Sequence, residues 1–361
     1  METEFWMDKS FYRKIYVFML LYFLLFSFCG KIEEDIKENN DLMLPVYYGE
    51  TFIDVDYIFP NGDALNKPLG IKINPVTSEF FVCDYSDNCL YVFSPEGEFL
   101  KKIGTAGQGP GDLLMPKYLV IDNDGNLYVY EEGNRRISIF SKNGRFIKFF
   151  PIFVSSQEMR FSVSNKKEIL VNIPERGYYI TVFSIEGDVL KEIGKIEQIN
   201  KDPFINKCLA EGIPFKDSTG KYYIFLEGIF SILVFNEEGN IIKEYPFDEV
   251  VGRTNIRKSW PKPEKLENAS IYQLNLDIVM KNDHFFILQD IEYYEPIIEL
   301  DNNLTLIRKY KINSSKKNSD YVNLFRLDMF TFFDIFINNN EIQFYIPLVE
   351  RSEILRFSLN K

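Results

Sequence analysis

Residues 80–104 read FFVCDYSDNCLYVFSPEGEFLKKIG, and their pattern returns along the chain. An apolar run meets the turn signal DYSDN, an aromatic run ends at Phe93, the turn SPEG follows, and a third run closes on Gly104. The same order recurs in LYVYEEGNRRISIFSKNGRFIKFFP (127–151), ILVNIPERGYYITVFSIEGDVLKEIG (169–194), YYIFLEGIFSILVFNEEGNIIKEYP (222–246) and FFILQDIEYYEPIIELDNNLTLIRKY (285–310). A shortened copy, IQFYIPLVERSEILRFSLNK, ends the chain (342–361). The residue before each second turn is Phe93, Phe140, Phe183, Phe235, Leu300 or Phe357, at spacings of 47, 43, 52, 65 and 57. Short runs rich in Val, Ile, Phe and Tyr, separated by Gly- and Asn-bearing turns, are strands, and repeats of this length suit four-stranded propeller blades. The sixth copy lacks its outer strand, whereas ETFIDVDYIFP (50–60) has that alternation and no blade of its own. The expectation is an all-β, six-bladed propeller over residues 50–361, its last blade closed by the N-terminal strand so that no long sheet edge stays unpaired.

The stretch GTAGQGPGD (104–112) joins the first two copies and carries four glycines. A dinucleotide loop needs G-x-G-x-x-G between a strand and a helix, and a phosphate loop needs Gly-Lys-Ser/Thr. Here Pro110 interrupts the glycines and KYLVIDNDGNLYVYEE, which follows, reads as strand and hairpin. The loop is expected to carry the chain from the outer strand of one blade to the inner strand of the next. Together PLGIKI, CDYSDNCLYVFSPEGEFLKKIG and GTAGQGPGDLLMP resemble the NHL-type repeat and, more closely, the six-bladed propeller lipoproteins of Gram-negative bacteria. That resemblance covers about residues 67–150 and implies the fold and a cell-envelope location; its members differ in function, so it implies no chemistry.

The N-terminus supports an envelope address. Lys9, Arg13 and Lys14 precede IYVFMLLYFLLFSF, an apolar run of signal-peptide length, and Met7 offers a shorter start. The run meets Cys29 in FSFCGK, which resembles a bacterial lipoprotein signal, with Cys29 the lipidated residue. Phe28 stands where that signal carries a small residue, which keeps a plain secretory signal or an uncleaved anchor as alternatives. The expected organisation is a signal peptide over 1–28, a polar tether over 29–49 and the propeller over 50–361, in an outer-membrane lipoprotein facing the periplasm or the surface. Membrane association is through the lipid anchor alone. Cys83, Cys89 and Cys208 remain, an odd number that excludes a full disulfide framework. If Asp84 pairs with Cys89 across the hairpin, the thiols of Cys83 and Cys89 point to opposite faces and do not bridge.

The net charge of -12, from 41 Lys and Arg against 53 Asp and Glu, comes without a basic run and argues against nucleic-acid binding. Strand direction puts the outer-to-inner crossings and the tips between second and third strands on one face, here the upper face. The long insertions gather there, and loops on a rigid scaffold are where binding usually sits. The tips DYSDNC, EEGNRR, PERGYY, EGIFS, DIEYYEP and VERSE bring Asp84, Arg135, Arg136, Glu175, Arg176, Tyr178, Glu227, Tyr293 and Arg351 to that rim as candidate ligand contacts, beside Glu292 and Glu350. Trp260, on a long crossing, is the candidate cover. Mixed carboxylates, guanidinium groups and rings suit a polar ligand such as a glycan or peptide, or an envelope protein partner; the plainer reading is solvated rim charge and ion pairs. A single histidine, His284 at a lower strand end, excludes a multi-histidine zinc site and puts a Ser-His-Asp triad on the wrong side. The main expectation is a binding module without a cofactor; the alternative is a calcium-assisted, lactonase-like hydrolase holding its metal on the axis.

Overall fold

The computed structural model describes residues 50–59, 65–154, 159–229, 231–250, 277–288, 297–312, 332–338, 341–348 and 353–359. All belong to one compact unit, Tyr47–Lys361. It is an all-β six-bladed propeller built of four-stranded antiparallel blades.

The first strand, β1 (Glu50–Phe59), precedes the blades. Blade one holds β2 (Pro68–Ile73), β3 (Phe80–Asp84), β4 (Cys89–Phe93) and β5 (Phe99–Ile103). Blade two holds β6 (Pro116–Ile121), β7 (Leu127–Glu131), β8 (Arg136–Phe140) and β9 (Phe146–Pro151). Blade three holds β10 (Phe161–Val163), β11 (Ile169–Val171), β12 (Tyr178–Phe183) and β13 (Val189–Lys195), with a short helix, α1 (Pro203–Leu209), on the crossing that follows. Blade four holds β14 (Gly212–Lys216), β15 (Tyr222–Leu226), β16 (Ser231–Phe235) and β17 (Ile241–Pro246). Blade five holds β18 (Asp277–Lys281), β19 (His284–Leu288), β20 (Ile297–Leu300) and β21 (Leu306–Ile312). Blade six starts with β22 (Asp334–Asn338), β23 (Glu341–Leu348) and β24 (Glu353–Leu359). Beside it β1 runs antiparallel to β24, with Ile53 opposite Leu359 and Phe59 opposite Ile354. β1 also runs parallel to β21 from Glu50 to Ile53, so blades five and six merge into one eight-stranded sheet.

Position within a blade explains the strand patterns. In blades one and two the second and third strands are buried at every residue because a neighbouring blade covers each face, so they read as near-continuous apolar runs such as FFVC and LYVY. Outer strands such as FLKKI stay largely exposed. Apolar side chains fill the seams between blades: Phe285 of blade five packs against Tyr223 and Phe225 of blade four at 5.0 Å between ring centres. Each buried ring of this kind contributes about 1.5–3 kcal/mol.

The turns between third and fourth strands stitch neighbouring blades together. In SPEG the Ser94 hydroxyl accepts from the N–H of Glu96 and Glu98, and Gly97 takes φ +85°. Gly144, at φ +82° in SKNG, lies so close to blade one that a Cβ would stand 2.6 Å from Ile103 Cδ1. Glycine is required there both by conformation and by space. Lysines on the outer strands reach to the next blade's turn: Lys101 donates to the Asn143 carbonyl at 3.2 Å, Lys148 pairs with Glu186 at 2.9 Å, and Lys191 donates to the Glu237 carbonyl. In blade five the glycine position is taken by Leu304 at φ +62°, whose side chain is buried in the seam with blade four.

Asp84 pairs with Cys89 and Cys83 with Leu90 across the first hairpin, and both thiols are free and buried. Burial pushes the Cys83 thiol well above its ordinary value and Cys89 up to about 12. Among the described residues no helix is long and apolar enough to cross a membrane.

Candidate ligand-binding site

The glycine loop turns its carbonyls inward to a buried arginine. Arg136 donates to the carbonyls of Gln108, Gly109 and Asp112 at 2.8, 3.2 and 2.9 Å, and its Nε meets Glu131 Oε1 at 2.8 Å. Within the loop, the Gly107 N–H donates to the Leu113 carbonyl and the Gly109 N–H to Asp112 Oδ2. These N–H groups are committed internally, so the loop is the corner that its proline-broken spacing indicates.

Three of the expected ligand contacts are internal clamps, which corrects the reading of them as rim groups. Asp84 is fully buried and accepts from the N–H groups of Asn66, Lys67, Ser86 and Asp87. It holds the hairpin tip to the chain entering its own blade. Arg136 does the equivalent in blade two, with Glu131 also accepting from the Leu114 N–H and the hydroxyl of Ser138. Glu227 is buried and pairs with Arg160 of blade three at 2.9 Å. A buried charge needs a partner, so these side chains are committed to the fold.

Others of the group do sit on the rim. Glu175 is exposed and pairs with Lys207 of α1 at 3.2 Å, and Arg176 is exposed and forks onto Glu192 at 2.7 and 2.9 Å. Arg135 is exposed at φ +49°, and Tyr178 is half-buried at the start of β12. An open, mainly apolar groove runs beside Glu175 between Pro174, Ile196 and the exposed ring of Phe204. Trp260, Tyr293 and Arg351, with Glu292, Glu350 and Cys29, lie outside the described residues. His284 stands at the lower end of β19, its Nδ1 2.7 Å from Glu299 Oε1.

A different concavity lies on the propeller axis. All six inner strands line it: Lys72 of β2, Tyr118 of β6, Ser162 of β10, Phe215 of β14, Lys281 of β18 and Asp334 of β22. Its volume is about 310 Å³. The mouth is formed by the turns between first and second strands, at Asn123, Asn165, Ser218 and Asp283, so it opens on the face opposite the rim. Hydrogen bonds tie those turns together, Asn123 to Asn165 at 2.9 Å and the Ser218 N–H to Asp283 at 3.0 Å. The rim and this cavity are thus separate places on the propeller.

The cavity floor is charged and aromatic. Asp334 Oδ2 accepts from the Ile73 N–H at 2.7 Å, and Lys72 donates to the Phe333 carbonyl at 2.7 Å, so blades six and one are laced together there. Asp277 Oδ2 accepts in turn from the Phe333 N–H at 2.8 Å. Burial raises the Asp277 carboxyl above the ordinary carboxylate range, against the opposing pull of Lys72 and Arg160. The Tyr118 ring packs against Phe161 and Phe332 at 5.5 and 5.1 Å, and burial also holds its hydroxyl protonated. Among the described residues no three His, Cys, Asp or Glu side chains gather as a metal site. The cavity residues Lys72, Ser162, Lys281 and Asp334 escape a reading based on loops. Their only sequence signal is a polar residue inside an otherwise apolar inner strand, as in PLGIKI and FFDIF.

Comparison with known proteins gives the same architecture. A family model described as a 6-bladed beta-propeller matches residues 69–198. The protein brain tumor of Drosophila melanogaster is 26% identical over 130 residues, but the matched part is 36% of this chain and 12% of that protein. Among solved structures, virginiamycin B lyase from Staphylococcus aureus superposes with a TM-score of 0.51 at 12% identity, covering 84% of this chain and 99% of that one. A member of the duf4221 family from Bacteroides vulgatus gives 0.53 at 13% identity over 86% and 98% of the two chains. A protein proposed to be exported, from Bacteroides fragilis, gives 0.50 at 12% over 88% and 99%. At these identities the likeness is one of fold, and the fold common to the sequence repeats, the strand order and these comparisons is the six-bladed β-propeller.

Proposed function

We propose that this chain is an exported, lipid-anchored β-propeller that binds a small polar ligand in its axial cavity. The observation that carries the reading is the convergence of all six inner strands on one concavity of about 310 Å³ with charged, amide, hydroxyl and aromatic groups in its wall. Volumes of this order hold small ligands, and a few placed polar groups in an otherwise apolar wall give orientation and selectivity. The basic leader, the apolar run and Cys29 support the export half of the proposal, as does the fold likeness to a protein proposed to be exported.

Filling the cavity tests the binding half. Ser162→Trp places an indole in the axial space, and saturation-transfer NMR against a panel of small sugars and peptides reads the outcome. Loss of ligand signal with a retained thermal transition is expected, while Arg135→Ala on the rim leaves binding intact. Binding that survives Ser162→Trp and fails with Arg135→Ala would move the site back to the rim. Metabolic labelling with a fatty acid tests the anchor: the wild type is expected to be labelled and Cys29→Ala not.

A further inference from the structure

We infer that the groove between the blade-three hairpin tip and α1 is a docking site for an extended segment of a partner protein, one that lays an apolar side chain against Phe204 and sets a lysine or arginine beside Glu197. The site is distinct from the axial cavity and stands whether or not that cavity takes a ligand. Its contact groups are accessible: Phe204 is 54% exposed, Pro203 and Glu197 are exposed, and Pro174, Ile196 and Lys207 are partly so. The groove has a volume of about 490 Å³, room for more than one side chain, and is open to solvent. A small ligand in an ordinary pocket loses most of its surface to the wall, which an open groove does not offer. A chain segment laid across such a groove buries one face only, as in peptide recognition.

The exposed ring is presented by fixed backbone. Asp202 caps α1 by accepting from the Phe204 N–H at 2.8 Å, and Pro203 holds the first helical position. The Asn206 side chain accepts from the N–H groups of Ile199 and Asn200 at 2.8 and 2.7 Å and donates to the carbonyls of Asn200 and Asp202. Ile205 and Leu209 are buried and anchor the helix. Phe204 therefore cannot turn inward without breaking the cap, and a partner meets a groove already ordered, which lowers the entropy cost of binding. A large ring held in water by such a turn is the kind of anchor that interfaces use.

Charge selects the partner. One ammonium group, Lys207, is shared between Glu175 at 3.2 Å and Glu211 at 3.7 Å. Glu197 lines the groove with no ion pair among the described residues. The lining thus carries two carboxylates against one cation that is already engaged; Arg176 and Lys195 stand outside it, and Arg176 is forked onto Glu192. A basic segment is attracted there and an acidic one repelled. Gln198 donates through Nε2 to the Asn200 carbonyl at 3.2 Å, which leaves its amide oxygen to accept from a backbone N–H of the segment.

The test uses the full chain in detergent, with protein-free micelles as the blank, and capped peptides Ala-Lys-Phe-Lys-Ala, Ala-Gln-Phe-Gln-Ala, Ala-Glu-Phe-Glu-Ala and Ala-Lys-Ser-Lys-Ala as probes. Saturation-transfer NMR titrations read affinity. The lysine-flanked phenylalanine peptide is expected to bind most tightly and the serine peptide least, and the preference for lysine flanks should shrink at high salt. Phe204→Gln should weaken the lysine-flanked peptide about tenfold, the effect of removing an aromatic anchor. Glu197→Lys should reverse the order of the lysine- and glutamate-flanked peptides. Both side chains are exposed, so the thermal transition is retained in each variant. Absence of binding by the lysine-flanked peptide at millimolar concentration, equal or tighter binding of the glutamate-flanked one to the wild type, or binding indifferent to both substitutions would overturn the proposal. So would loss of peptide binding in Ser162→Trp with both groove variants unaffected, which would move the peptide to the axial cavity. Sedimentation covers the remaining occupant: a concentration-dependent dimer that Phe204→Gln abolishes would give the groove to a second copy of this chain and overturn the assignment to a partner.

Discussion

At the residue scale, polar side chains in this protein are assigned their tasks by burial. Arg136 and Arg135 are neighbours in sequence, yet one is enclosed among three loop carbonyls and a carboxylate and the other is exposed. Asp277 shows the energetic side. Its carboxyl is raised above the unfolded value, so the native state holds the proton more tightly than the unfolded chain does. The group therefore favours the fold fully at pH below the ordinary carboxylate value, and that contribution is lost as pH rises through the raised native value. Asp277→Asn cannot ionise and keeps an oxygen for the Phe333 N–H. Urea denaturation across a pH series should show the variant gaining on the wild type as pH rises from the acid range to neutrality. A difference that is flat with pH, or that moves against the variant, would contradict the assignment.

At the element scale, the turns between third and fourth strands link blade to blade. The Ser or Asn that opens the turn satisfies backbone N–H groups, and the glycine supplies the left-handed conformation. The same glycine allows the preceding blade's outer strand to approach. Gly177 provides the control, since it has φ +85° with nothing within 4 Å of a would-be Cβ. Gly177→Ala should cost only the conformational penalty, about 1–2 kcal/mol. Gly144→Ala should cost more, because its Cβ would collide with Ile103, and the additional Ile103→Ala should recover part of that excess when the double variant is compared with Ile103→Ala alone. Equal losses for Gly144→Ala and Gly177→Ala would show that packing between the blades does not depend on this contact. Leu304 illustrates the exchange in the other direction: a left-handed leucine is held where burial against blade four offsets its strain.

At the scale of the whole molecule, β1 is the element far from its partners in sequence. It runs antiparallel to β24 and parallel to β21, and so lies between the two last blades. Removing residues 50–59 would leave the backbone edges of both strands without that partner. The expected result is a loss of several kcal/mol with a lowered and less cooperative thermal transition, since a propeller blade is stable only when its sheet and its neighbours are complete. An unchanged melting temperature would refute a closing role for β1. At the axial cavity blade one meets blade six directly, where Lys72 donates to the Phe333 carbonyl across 261 residues of chain.

Local chemistry was sufficient to specify the blades. Strand period, turn residues and repeat spacing act over a few residues, and they are written directly in stretches such as 80–104. The proline-broken spacing of the glycine loop likewise marked it as a corner. Tertiary structure alone decided which polar residues are buried as clamps and which line the axial cavity. Asp84, Arg136 and Glu227 sit near strand ends in sequence, but their partners come from neighbouring segments that bury them. The cavity takes at least one residue from each of six strands spread over more than two hundred positions, and no local pattern places Lys72, Ser162, Lys281 and Asp334 together. Their proximity arises from ring closure, a non-local event that sets burial, charge balance and hydrogen-bond partners at once.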